Sequence, residues 1–84
     1  MTKIIPPRLR WACRRGMLEL DLLLGRFLED NFLTLSETDQ ALFTQLLETN
    51  DQDLYQWLCG KEKSKNQQVN SIIEKIRYHA EHRR

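Results

Sequence analysis

The chain has 84 residues, 40% of them hydrophobic and 30% charged, with a formal net charge of +1. A domain of this size buries only about 60–65% of the surface its unfolded chain exposes, which leaves little room for a core and an enclosed catalytic pocket together and weighs against an enzyme. No apolar run approaches the ~20 residues needed to cross a bilayer, and the first seven residues lack the apolar stretch of a signal peptide, so one soluble, cytoplasmic domain without membrane insertion is expected.

The small net charge hides segregation. Lys3, Arg8, Arg10, Arg14 and Arg15 give residues 1–16 a charge of +5, residues 17–59 carry −8 with Arg26 as their sole base, and residues 60–84 carry +4. A basic edge beside an acidic middle suits a charged partner; it equally allows attraction between the ends of the chain and its centre.

The periodicity is helical throughout, with no alternating β-branched segment, so an all-α fold built as a compact five-helix bundle is expected. After a flexible start over residues 1–6, Pro6-Pro7 opens a short first helix, with Leu9, Ala12 and Cys13 as its buried stripe. Gly16 ends that helix or caps the next. The second helix runs from about Met17 to about Asn31, with Leu20, Leu24, Phe27 and Leu28 on one face; Leu18 and Leu22 point elsewhere, so the helix is apolar over most of its circumference and belongs at the bundle's centre. Gly25 costs about 1 kcal/mol relative to alanine there and suggests close approach of a neighbouring helix. Ser36 caps the third helix, with Glu37 and Asp39 in its first turn and Leu42, Phe43, Leu46 and Leu47 as its stripe. Asp51 or Asp53 caps a short fourth helix bearing Leu54, Tyr55, Trp57 and Leu58 and closed by Gly60. A polar loop, Lys61 to Gln67, leads to a fifth helix with Val69, Ile72, Ile73 and Ile76 inside, fraying into a basic tail over 79–84.

Few residues carry recognisable chemistry. His79 and His82 share a helical face but have no thiolate or carboxylate set around them in metal spacing. Cys13 and Cys59 form no CxxC pair and read as reduced core residues rather than nucleophiles. Three separated glycines make no phosphate loop. No catalytic residue and no metal site is expected. Nucleic-acid binding has a better basis, because Arg8, Arg10, Arg14 and Arg15 could neutralise phosphates while Trp11 stacks on a base; the −8 middle opposes it. A small inhibitor module of the toxin–antitoxin kind is a third class open to any charged helical bundle. The strongest reading is a protein-binding surface: arginine and tryptophan are enriched at interface hot spots, and Gly16 admits close backbone approach. Glu19 has two readings. With Gly16 as N-cap it is the N3 acid of a capping box, and otherwise it is a carboxylate presented beside the arginines. Asp21, two residues on, faces away from Glu19. Tyr55 and Trp57 read as core-edge residues.

The segments RLRWACRRGMLELDLLLGRF and LLETNDQDLYQWLCG closely resemble the bacterial SdhE-type proteins and their relatives, the mitochondrial succinate dehydrogenase assembly factors. The likeness is strong over residues 8–60 and looser over the last helix. An RGxxE signature stands as Arg15-Gly16-Met17-Leu18-Glu19, made specific by Trp11 to Arg14 before it, Leu20-Asp21 after it and Asp53 to Leu58 downstream. The resemblance implies a five-helix bundle that binds the flavoprotein subunit of succinate dehydrogenase, or of fumarate reductase, and promotes covalent FAD attachment to it. FAD then belongs to the partner and is not held stably by this chain. By the same resemblance Arg15, Gly16 and Glu19 meet the partner, with Arg8, Trp11, Arg14 and Asp21 as supporting contacts, and the arginine–glycine corner is held outward. Where many members carry a proline, Lys61–Asn66 has none. The targeting extension of the mitochondrial members is missing, which again suggests a bacterial cytoplasmic setting.

Overall fold

A computed structural model of the chain describes residues 4–82. Five α-helices follow in order, α1 (Pro7–Ala12), α2 (Leu18–Asn31), α3 (Glu37–Leu46), α4 (Asp51–Leu58) and α5 (Gln67–His82), with a 3-10 turn at Phe32–Thr34. The described residues contain no strand, and the expected all-α five-helix architecture is the one that forms. α2 packs on α4, α5 and the 3-10 turn, while α5 also packs on α3 and α4. These two helices therefore form the middle of a body measuring 40 × 26 × 26 Å.

The helical stripes explain this arrangement. Leu20, Leu24, Phe27 and Leu28 of α2 join Phe43 and Leu46 of α3, Leu54 and Leu58 of α4, and Ile72 and Ile76 of α5 in one buried cluster. Each such side chain contributes about 1.5–3 kcal/mol by leaving water. The Phe43 ring lies 5.6 Å from Phe27 and 5.9 Å from Phe32, centre to centre and tilted, a spacing at which aromatic pairs attract. Tyr55 and Trp57 sit at the edge of this cluster. Leu18 and Leu22, by contrast, remain 70% and 42% exposed, so α2 is central on one side and bare on the other.

Local chemistry sets the ends of the helices. Pro7 occupies the first turn of α1, where its missing N–H costs nothing. Ser36 accepts from the Asp39 amide at 3.1 Å and caps α3. The cap of α4 is Asn50, not Asp51 or Asp53: its side-chain oxygen accepts from the Asp53 amide at 2.9 Å, and the two acids lie in the first turn, where they complement the helix dipole. Gly60, at φ 80°, closes α4 in a left-handed turn in which the Lys61 amide donates to the Gln56 carbonyl at 3.0 Å and the Gly60 amide to the Trp57 carbonyl at 3.1 Å, a Schellman arrangement. The loop after it is tied down. Asn66 accepts from the amides of Gln68 and Val69 at the start of α5, and Asn70 both accepts from the Ser64 amide and donates to the Ser64 carbonyl.

Several expectations are corrected. Gly16 caps nothing: α1 closes on Cys13 and the N-cap of α2 is Met17, which makes Glu19 the N2 residue and removes the capping-box reading. No helix crosses closely at Gly25, where an added Cβ would find nothing within 4 Å. Ile5 is buried in the core, so the amino-terminal segment is held from that residue; residues 1–3, where flexibility was also expected, lie outside the described residues. α5 remains helical through His82 instead of fraying from His79. His79 is held by an edge-on contact with Phe27, 5.6 Å between ring centres, and by Asp30 at 2.8 Å. Residues 83–84, the end of the tail, are outside the description. The pairs Arg10–Glu29, Arg15–Asp51 and Lys75–Asp39 each join a terminal segment to the acidic middle, so attraction between ends and centre accounts for part of the charge layout.

Candidate functional site

The arginine–glycine corner is the non-helical passage between α1 and α2. The Cys13 amide still donates to the Leu9 carbonyl at 3.1 Å and the Arg14 amide to the Trp11 carbonyl at 3.0 Å, which finishes α1. The chain then turns into α2, and Asp21, one turn inside that helix, accepts the backbone N–H of Arg15. Asp21 thus fixes the passage from within the chain.

The Arg15 side chain does not point outward as expected. It crosses to the α3–α4 turn, where Nη1 donates to the Thr49 carbonyl at 3.2 Å and Nη2 donates to the Leu47 carbonyl. Nη1 also lies 3.5 Å from the Asp51 carboxylate. Carbonyls just past a helix end have no intrahelical partner and carry the negative end of its dipole; a guanidinium supplies both donors and charge. The side chain is left only 14% exposed, and its buried Nε has no hydrogen-bond partner among the described residues. Arg15 therefore ties the corner to α3 and α4.

Its neighbours do face solvent. Gly16 is exposed and its φ is not in the left-handed region, since Gly60 is the only described glycine there. A Cβ on Gly16 would meet only Asp51 Oδ2, at the ordinary contact distance of 3.9 Å. Nothing in the fold requires glycine at this position. Glu19 is exposed and its carboxylate makes no hydrogen bond or ion pair among the described residues. It lies near Tyr55, whose phenol titrates above its ordinary value chiefly through a hydrogen bond with Cys59, with the charges of Cys59 and Glu19 adding to the rise. Trp11 is 72% exposed, and the Arg14 guanidinium lies 5.7 Å from its ring centre, within cation–π range.

The seven candidate residues thus separate. Trp11, Arg14, Gly16 and Glu19 are the exposed ones, Arg15 and Asp21 brace the passage between them, and Arg8 stands apart in a different groove beside Pro7, Leu33 and Glu37. Sequence reasoning missed the brace because the carbonyls that Arg15 holds are more than 30 positions away and carry no side-chain signature. Of the two cysteines expected in the core, Cys59 is exposed, because it caps α4 at the surface before Gly60, while Cys13 is buried: burial pushes its thiol up to about 11, with Arg15 pulling it down and Asp21 pushing it further up. It is protonated at neutral pH and is no nucleophile. With exposed tryptophan, arginine and carboxylate groups around an unobstructed glycine, the corner is equipped for recognition.

Residues 7–80 match the family described as the flavinator of succinate dehydrogenase. The chain belongs to that family. Among proteins similar to it, the FAD assembly factor SdhE of Vibrio vulnificus is 49% identical over 72 residues, 86% of this chain and 84% of the relative. The FAD assembly factor SdhE of Coxiella burnetii is 46% identical over 69 residues, 82% and 84% of the two chains. A solution structure of a UPF0350 protein matches with a TM-score of 0.75 at 42% identity, covering 88% of this chain and 79% of that one. In this flavinator-family chain, then, the accessible and bracing halves of the corner are adjacent residues of one short motif.

Proposed function

We propose that this protein is an assembly factor that binds the flavoprotein subunit of succinate dehydrogenase and promotes covalent attachment of FAD to it, with the fumarate reductase flavoprotein as a second client. Membership of the flavinator family supports the role. The observation that carries the contact is Gly16, which is exposed, free of backbone strain and unobstructed by its own chain. A glycine that the fold does not need is suited to a partner backbone lying against it, with Glu19 offering a carboxylate and Trp11 and Arg14 a stacked cationic face. Arg15 is a positioning residue that holds this stretch in place.

The protein is not a catalyst in this reading, and the flavin is the partner's. Dinucleotides are commonly bound where a glycine-rich turn leads from a strand into a helix, and the described residues include no strand. Bond formation between flavin and histidine belongs to the cofactor and the flavoprotein. The helper binds the arrangement of flavoprotein domains in which the acceptor histidine lies against the flavin, and it raises the population of that arrangement by its differential affinity. A preference of about 2.7 kcal/mol shifts the equilibrium about a hundredfold.

The test is co-expression with the flavoprotein in cells lacking their own helper, scored by flavin fluorescence on a denaturing gel. Wild type gives the covalent flavin band, and Gly16→Arg abolishes it while keeping wild-type thermal unfolding. Normal attachment with Gly16→Arg overturns the contact, and no attachment with wild type overturns the function.

A further inference from the structure

We propose that the groove between α1 and α2 is a second docking element for the same flavoprotein, one that receives an acidic segment bearing an apolar side chain. The inference rests on the function proposed above and extends it to a surface outside the RGxxE signature. The groove is an open depression of about 430 Å³, lined by the buried Cys13 and Leu28 and by Leu22 and Gly25. Gly25 is the central observation. It stands in the interior of a 14-residue helix, where glycine costs about 1 kcal/mol relative to alanine, and an added Cβ would meet nothing within 4 Å. None of the described residues uses the space, so it is open to an outside side chain. Leu18, Leu22 and Gly25 follow at i, i+4 and i+7, on one helical face, and the two leucines are among the exposed large hydrophobic residues. The groove thus continues into a bare apolar stripe that ends beside Glu19.

The rim decides the charge of the occupant. Glu29 is paired with Arg10, and Asp21 accepts the Arg15 amide while keeping its charge, so the three arginines of the lining outnumber its two acids. Arg14 and Arg26 line the same groove, are exposed, and have no carboxylate partner among the described residues. Arg26, and Arg14 beside the Trp11 ring, flank an apolar floor and fit a segment with carboxylates on either side of an apolar residue, each able to accept a bidentate pair. Continuity identifies the owner of that segment: Arg14 borders both this groove and the exposed Trp11 of the corner, so a protein docked on the corner extends naturally over Gly25.

The experiment titrates the full-length protein into the purified, FAD-loaded succinate dehydrogenase flavoprotein of the same organism at low salt and at about 0.5 M salt. Gly25→Phe, which fills the groove, and Arg26→Glu, which reverses its free charge, are each expected to weaken binding about tenfold or more, and the Arg26→Glu deficit shrinks at high salt. Arg26 makes no ion pair among the described residues, so its variant stays interpretable if Gly25→Phe fails to fold. Wild-type affinity in Arg26→Glu, with Gly16→Arg still losing binding, overturns the groove and leaves the corner standing. Wild type that does not bind overturns both. A wild-type self-association dispersed by Arg26→Glu at unchanged flavoprotein affinity assigns the groove to a second copy of this chain and refutes the proposal.

Discussion

Replacing Arg15 by alanine separates bracing from docking most clearly. Two bonds from a charged guanidinium to the main-chain carbonyls of Leu47 and Thr49 are lost, each contributing about 1.5 kcal/mol at the low end for a charged donor. The longer pair with Asp51, whose side chain is 34% exposed, adds at most about 0.5 kcal/mol because solvent screens it. Truncation also removes the buried, unpartnered Nε, which returns about 1 kcal/mol. The net loss is about 2–3 kcal/mol, and at roughly 4–8 °C per kcal/mol for a domain of this size Tm falls by about 10–20 °C. Arg15→Lys offers a single compact ammonium to two divergent carbonyls and recovers about half of the loss. Thermal unfolding followed by far-UV circular dichroism, with urea unfolding for the free energy, measures both variants beside Gly16→Arg, which unfolds as wild type does. An Arg15→Ala protein melting within about 3 °C of wild type would show that the carbonyl bonds hold nothing together and that the arginine belongs with the docking residues.

Gly25→Ala stabilises the protein by about 0.5–1 kcal/mol, because a methyl group there meets open space while the helix gains propensity; a lower Tm than wild type contradicts this. The two thiols differ sharply toward a thiolate-selective reagent at pH 8. Cys59 is exposed and reacts in the folded protein, whereas Cys13, buried and raised from its ordinary 9.0 to about 11, holds about a hundredfold less thiolate at that pH than it would at its own ordinary value and reacts only on unfolding. The sign of the pH dependence follows from the same group. Its folded pKa is raised, so its contribution to stability is complete below about pH 9 and is lost as the pH climbs through about 11; a urea midpoint that rises over that interval argues against a buried neutral Cys13.

Much of the fold was legible because helix formation is local. The apolar spacing in α2, α3, α4 and α5, the proline opening α1, the Ser36 cap and the Gly60 stop all act within a few residues of themselves, and each appears where its spacing puts it. Short range also explains the near misses. Asn50, Asp51 and Asp53 are all competent caps by residue type, and the backbone conformation at Asn50 selects among them. Gly16 was a plausible cap until Met17 took the extended conformation before α2.

Family membership was likewise carried by the residues themselves, since the signature around Arg15, Gly16 and Glu19 is a pattern in one dimension. The division of labour inside that signature was not. Whether Arg15 reaches out or folds back depends on where the α3–α4 turn lies in space, and the carbonyls it meets belong to Leu47 and Thr49, whose side chains announce nothing about their main-chain oxygens. The same holds for Gly25: composition says only that a glycine sits in a helix, and just the placement of α1 across the groove from α2 leaves the space above it empty. Order along the chain settled which segments become helices, because hydrogen bonding and periodicity operate over a few residues; which of their side chains brace the bundle and which remain free for a partner was decided by distances between segments that only the assembled tertiary structure defines.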